Sequence, residues 1–469
     1  MTRARSALLA AATLLVLVAA RRDVWPGLRG PAPYPPEWQW GYAPKPVHAR
    51  PLVPVVVLVG GILGLAVLAF PAGAGRGKEA GFLLAAALLG WGMQLALLGL
   101  EPGGIAGELT RRAGSGSFTS YFKVAAGVED AREFLSRHHE LLPGFRHGAL
   151  HAATHPPGPV LYYAGLLRLA ARAPALAGLL GGPAPAAAVA GAALFGLLGA
   201  AACFPVAGLA RALGAAPASS LRAGLLWTLV PGLCLMVPEL DQALALPAAG
   251  AAMAAALALS DEGLALVAGA VTAGVLTGLA AFFSYGAPLL VGLGAAAVAA
   301  PSLGTSAGRR RVAVFGAIAL AVAVACFLLP AAFGHHPLAS ARTALAIHRE
   351  QFTARRSYRL WLLFDVVDLV LFLGVPVVLF GLGRPRAGGL RAFRRAAAGG
   401  VLLLGASGLV RGEMGRILIP LMPVLLVACV VSRPAAGSPD GQPSASTALL
   451  LGALLAATDI VLRLSWELP

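Results

Sequence analysis

The chain has 469 residues, 58% of them hydrophobic and only 12% charged, and a mean hydropathy of +0.80. That balance excludes an ordinary soluble domain and a disordered chain. The net charge of +16 is carried by arginines spread over many short loops, which suits lipid headgroups and helix orientation rather than nucleic acid.

Apolar runs of about 17–25 residues, bounded by Arg, Pro or Gly, predict transmembrane helices. In chain order they are 6–20, 51–70, 80–100, 184–208, 221–238, 242–260, 263–281, 285–300, 312–333, 360–382, 396–410, 416–432 and 446–462. The expected fold class is therefore an all-α polytopic membrane protein of about thirteen transmembrane helices. It reads as a single integral membrane domain over 1–469. Residues 1–20 end in Val18-Ala19-Ala20 and also read as a cleavable signal peptide; either reading leaves residue 21 outside. Cys203, Cys234, Cys326 and Cys429 all lie inside the runs, as small core residues with no disulfide or zinc framework.

A cytoplasmic N-terminus puts Arg76/Lys78, Arg211/Arg222, Arg309-Arg310-Arg311, the basic stretch 384–395 and Arg433 inside, together with a Ser-, Pro- and Gly-rich linker at 433–446. Most carboxylates and all nine histidines then fall outside. Residues 22–50, with Trp25, Trp38 and Trp40, read as an ordered interfacial loop. The large first outer loop, 101–183, collects five of the nine histidines and six of the twenty acids. Its last part, 159–173, is apolar but short and carries Arg168 and Arg172, so it predicts a juxtamembrane helix with snorkelling arginines.

Candidate chemistry gathers at these outer segments. Glu101 ends the third span, where a carboxylate is costly without a partner or a task. A helix predicted over 128–140 places Asp130 and Phe134 on one face, near Arg137 and His138. His151 and His155 have i,i+4 spacing, but Pro156-Pro157 opposes a helix through His155. That makes them a weak zinc signal; the bend would instead hold His155 at a cavity mouth, to bind phosphate or relay a proton. Glu239-Leu-Asp241-Gln242 and Phe283-Ser284-Tyr285 lie at two further outer junctions, and Asp241 is expected to reach the same cavity. The basic outer loop 334–359 carries His335, His336, Arg342, His348, Arg349, Arg355, Arg356 and Arg359, a set suited to phosphate or to anionic lipid. Asp365 and Asp368, one turn apart in the next span, need a partner, with Arg359 expected. Arg411-Gly-Glu413-Met-Gly-Arg416 reads as an anion clamp in which Glu413 holds an arginine, or as a self-compensated turn.

Together these features resemble the GT-C-type membrane glycosyltransferases, in particular protein O-mannosyltransferases and aminoarabinose-transferase-like enzymes. The likeness rests on Thr154-His155-Pro156-Pro157-Gly158-Pro159-Val-Leu-Tyr162-Tyr163, on Asp241, and on Arg411-Gly-Glu413 followed by Arg416-Ile-Leu-Ile-Pro420-Leu-Met-Pro423. The resemblance implies sugar transfer from a polyprenyl-phosphate donor to a lipid, glycan or protein acceptor, on the outer face of a bacterial inner membrane. It implies a carboxylate base, Glu101 or else Asp130, and a further catalytic acid, Asp241, holding acceptor or metal. His155, Arg411, Arg416, Arg355 and Arg356 are the expected phosphate ligands, supported by His151, Glu413, Tyr162 and Tyr163. A divalent cation, Mg or Mn, is used by some such enzymes. This chain departs from the pattern at 117–123, which carries no carboxylate where the family commonly has one. Two other classes stay open: a transporter or lipid flippase, favoured by Asp365, Asp368 and Asp459, and an inactive membrane assembly partner.

Overall fold

A computed structural model describes residues 2–68, 75–382, 389–431 and 444–468. The linker expected at 433–446 lies, as far as residue 443, outside the described residues, as do Arg384 and Arg433. Among the described residues the protein is all-α apart from two short strands, Gly41–Tyr42 and Trp466–Glu467, which pair antiparallel with Gly41 opposite Glu467. Many helices are apolar enough to make it an integral membrane protein. Among the described residues ten are long and apolar enough to cross a bilayer, or up to eleven if Tyr358–Leu373 and Val375–Leu382, bent by 101°, form one span.

That is fewer than the thirteen expected. Helix Gly389–Ser407, expected as the span 396–410, carries Arg391, Arg394 and Arg395 in its first half. The expected span 416–432 is broken into Met414–Ile417 and Met422–Val430, too short to cross. Its prolines, Pro420 and Pro423, remove the donors a continuous helix would need.

Local signals set the helix starts. Pro183, Pro217, Pro231 and Pro337 open helices at the first position, where no amide partner is required. Thr305 and Ser444 accept hydrogen bonds from the amides of Gly308 and Thr447. The packed interior is rich in Ala and Gly, which lets backbones approach closely. Two buried amides join four helices: Gln242 donates to Gln94 Oε1 (3.1 Å) and Leu233 O (2.6 Å), while Gln94 donates to Gly196 O (3.2 Å).

Between Leu98 and Pro183 the chain forms six helices of 5–15 residues, none long enough to cross. One of them, Gly158–Arg172, is the short helix expected at 159–173. Gly158 packs so closely that a Cβ would lie 2.2 Å from Phe282 O, so the double-proline bend sits on the end of helix Leu264–Phe283. Arg311 pairs with Glu262 at 3.7 Å, just before that helix begins. Past Phe333, at the far end of the span that the arginine triplet opens, His335 Nδ1 meets Leu135 O (3.0 Å). The triplet and the proline bend therefore lie at opposite ends of these spans.

Candidate functional site

The site is built on the turn 408–416. Gly408 (φ +64°) and Gly412 (φ +93°) supply left-handed backbone, and Glu413 adopts it too (φ +60°). For a non-glycine residue that costs roughly 1–2 kcal/mol, so something must hold the turn. The carboxylates of helix Tyr358–Leu373 do so. Asp365 accepts from the Gly412 amide (2.9 Å), and Asp368 from the Gly415 amide (2.7 Å) and from Trp40 Nε1 (2.9 Å). The partner expected for these acids was Arg359; the backbone and an indole take that place.

Glu413 is then aimed between two guanidiniums, Arg356 Nη2 at 3.0 Å and Arg416 Nη2 at 2.9 Å. Burial pushes its carboxyl up, but the two arginines outweigh burial and hold it down at about 2. Arg416 also faces Glu239 (3.3 Å) and Asp241 (3.8 Å). These acids occupy the N-cap and first turn of helix Leu240–Ala258, where the helix dipole favours negative charge. Three carboxylates thus share two guanidiniums, one negative charge in excess if all are ionised. Burial pushes the Glu239 carboxyl up to about 7 while Arg416 pulls the other way, so the cluster reaches balance by keeping one proton near neutrality.

A second ionic group fixes the backbone leading to Glu239. Glu101 Oε1 accepts from Lys45 Nζ (2.8 Å) and Arg463 Nη1 (3.3 Å), and lies 3.7 Å from Arg112. Arg112 donates to Val237 O (2.9 Å) and Arg463 to Leu235 O (2.6 Å). Glu108 holds Arg112 and Arg111 from the other side (3.2 and 2.6 Å).

Glu239, Glu413, Arg416, Arg356 and His151 line one cavity of about 890 Å³. The other walls are the loop 29–41, the segments 116–118 and 147–151, and Glu467 with Leu468. Arg356 lies over the rings of Trp38 and Phe352, both 5.7 Å from its centre, which orients it without consuming its donors.

Helix Leu150–Thr154 ends where Pro156 forces His155 into extended backbone (φ −117°, ψ 160°). The rings of His151 and His155 stack at 6.2 Å, and His155 Nδ1 meets His151 O at 2.8 Å. His151 lines the cavity; His155 stands behind it against Tyr121, at 5.3 Å. Burial, and after it the charge of Arg416 for His151, lowers both imidazoles to about 3, so both are neutral near pH 7.

The remaining sequence candidates sit apart from this cavity. Asp130 caps helix Ala131–Phe145, accepting from the amides of Arg132 (2.6 Å) and Glu133 (3.2 Å). Arg411 is spent on the carbonyls of Thr353 (2.8 Å) and Arg356 (2.9 Å), and Arg355 on that of Glu350 (3.2 Å). Tyr162 donates to Gly191 O (2.9 Å), and Tyr163 is buried against Phe195 and Phe122. Glu101 belongs to the clamp just described. Sequence reasoning gave Glu239 less weight than Asp241, and left out Glu37 and Glu467. Glu37 accepts from Trp361 Nε1 (2.7 Å) and the Ser357 amide (2.9 Å), tying the first loop to the helix that carries Asp365 and Asp368. Its only signal was an acid among prolines and tryptophans.

Among the described residues no group of three or more His, Cys, Asp or Glu is arranged to hold a metal ion. Glu239 and Asp241 are already engaged by a guanidinium, so this donor set does not fit a divalent cation. No protein-family model matches the chain, and no curated protein matches it significantly.

Proposed function

We propose that the protein is an inverting membrane glycosyltransferase that takes a sugar from a polyprenyl-phosphate donor on the outward face of the membrane. The observation that carries this reading is the Glu239–Arg416–Glu413–Arg356 array in one wall of a large cavity. It pairs a carboxylate able to exchange a proton near neutral pH with two cations beside it. In the reaction an acceptor hydroxyl attacks the anomeric carbon as the bond to the phosphate oxygen breaks. Glu239 takes the hydroxyl proton, with Asp241 as its neighbour. Charge grows on the departing phosphate, and Arg416 and Arg356 turn from Glu413 towards it. His151, neutral, donates one hydrogen bond to the phosphate. No step passes through a metal ion.

Two of the three carboxylates that favoured a transporter have another use here: Asp365 and Asp368 anchor the turn that carries Glu413 and Arg416. The test is purified protein in lipid nanodiscs with a panel of polyprenyl-phosphate sugars, scoring release of polyprenyl phosphate. Glu239→Gln should abolish release, and Asp130→Asn should leave it intact. No release from any donor, or full release by Glu239→Gln, sinks the proposal.

A further inference from the structure

Part of the cavity lining is held by its own hydrogen bonds and is unused by the transfer chemistry. It consists of the loop 29–41 and the strand Trp466–Glu467. Arg29 is bound through two 2.9 Å contacts to Asp23 and donates to Trp40 O (2.9 Å). The amides of Ala43 and Lys45 continue the pairing onto Ser465 O (2.9 Å) and Leu464 O (2.8 Å). Residues that line a cavity from such a stitched frame are held in place before any ligand arrives.

Three side chains stand out on this wall. Glu467 is a cavity-lining carboxylate with no ion pair among the described residues, whereas Glu239 and Glu413 are both paired. Its position depends on Gly41 across the ladder: a Cβ at 41 would lie 2.9 Å from Glu467 Oε2. Gln39 gives its amide N–H to Gly30 O (3.1 Å), which fixes the side chain and turns its carbonyl oxygen elsewhere. Tyr34 is 61% exposed and meets Trp38 edge-on at 6.2 Å, so a face of its ring is open.

An exposed aromatic ring, a carboxylate with no ion pair among the described residues and an amide side chain, all lining one cavity, suit a polyhydroxylated ring. The C–H face of a sugar stacks on the aromatic ring, and its hydroxyls donate to the acceptor oxygens. A cationic ligand is disfavoured, because Arg356 already lies over Trp38 beside this wall. A hydroxylated peptide would offer one hydroxyl and no stacking face.

We propose that Tyr34, Gln39 and Glu467 form the acceptor subsite and that the acceptor is a saccharide, free or at the head of a glycolipid. This rests on the glycosyl-transfer reading of the Glu239–Arg416–Glu413–Arg356 array. The reaction would then join sugar to sugar.

The test uses the full chain in nanodiscs and saturation-transfer NMR with three probes: methyl glycopyranosides, a blocked serine- and threonine-containing peptide, and a long-chain alcohol. Methyl glycosides should bind, and Glu467→Gln and Tyr34→Ala should each weaken binding by about tenfold. Gly41→Ala should do the same by displacing the carboxylate while leaving its charge intact. Glu133→Gln, on an exposed helix face, should bind as wild type does, and thermal unfolding checks that every variant is folded. Absence of glycoside binding, equal binding in folded variants, or Glu467-dependent binding of the peptide or the alcohol would overturn the subsite. Donor turnover without glycoside binding overturns the subsite alone. Glycoside binding without turnover of any donor overturns the transfer reading, and the acceptor role with it.

Discussion

Replacing Glu101 by glutamine separates two roles for one carboxylate. Its side chain is only 10% exposed, and its cationic partners Arg463 and Arg112 are 0% and 2% exposed. Four cations, Lys45, Arg111, Arg112 and Arg463, surround two carboxylates, Glu101 and Glu108, and the substitution leaves one. Removing one member of a buried ion pair costs roughly 3–5 kcal/mol. Lys45 and Arg111 are partly solvated, which screens their share, so about 3 kcal/mol is expected. Unfolding by denaturing detergent in mixed micelles measures it. Removing one of the stranded cations as well, in Glu101→Gln with Lys45→Met, should restore part of the loss. Sugar transfer should fall only in part, because the arginines that hold the carbonyls of Leu235 and Val237 loosen while Glu239 stays intact. The opposite pattern, full stability with no turnover, would refute the clamp and make Glu101 the base.

On the proposed mechanism sugar transfer should rise with pH, reaching half its plateau near 7, because Glu239 would have to lose its proton to act as base. His151→Asn should keep that limb, since the imidazole is neutral at any pH above about 3; a limb that disappears in this variant assigns it to histidine. Arg416→Lys should cut turnover about a hundredfold, because a point charge cannot serve Glu239, Asp241 and Glu413 together; steady-state kinetics checks it. His138, buried between helices Ala131–Phe145 and Pro337–His348 and bonded to Ser340 (3.1 Å), is lowered by burial from 6.5 to about 3. Between those values the unfolded chain binds a proton that the folded one does not. His151 and His155 share this shift, so each of the three should contribute about tenfold in the folding equilibrium per pH unit on acidification below 6.5, and His138→Gln should remove one such share of the slope.

The chain alone determined the class. Hydropathy and length select membrane helices because unpaired backbone groups cannot lie in hydrocarbon, and that rule needs no tertiary information. It also determined the break at Pro156, which ends the helix before His155; Asp130, expected inside a helix over 128–140, instead caps Ala131–Phe145. Each is decided by sterics or hydrogen bonds within a few residues. Two expected spans, 396–410 and 416–432, are not among the helices long and apolar enough to cross: three arginines precede the first in its helix, and two prolines interrupt the second.

Only the tertiary structure decided what each ionisable residue is for. Glu101, Asp130, Glu239 and Asp365 are all acids in or beside predicted helices in the sequence. One is neutralised by three cations, one caps a helix, one shares Arg416 in a cavity, and one holds a backbone amide. A carboxylate's role follows from its partners and its burial, and those come from segments as far apart as residues 101 and 463. No local pattern carries that information, because the Coulomb and desolvation terms act through space rather than along the chain.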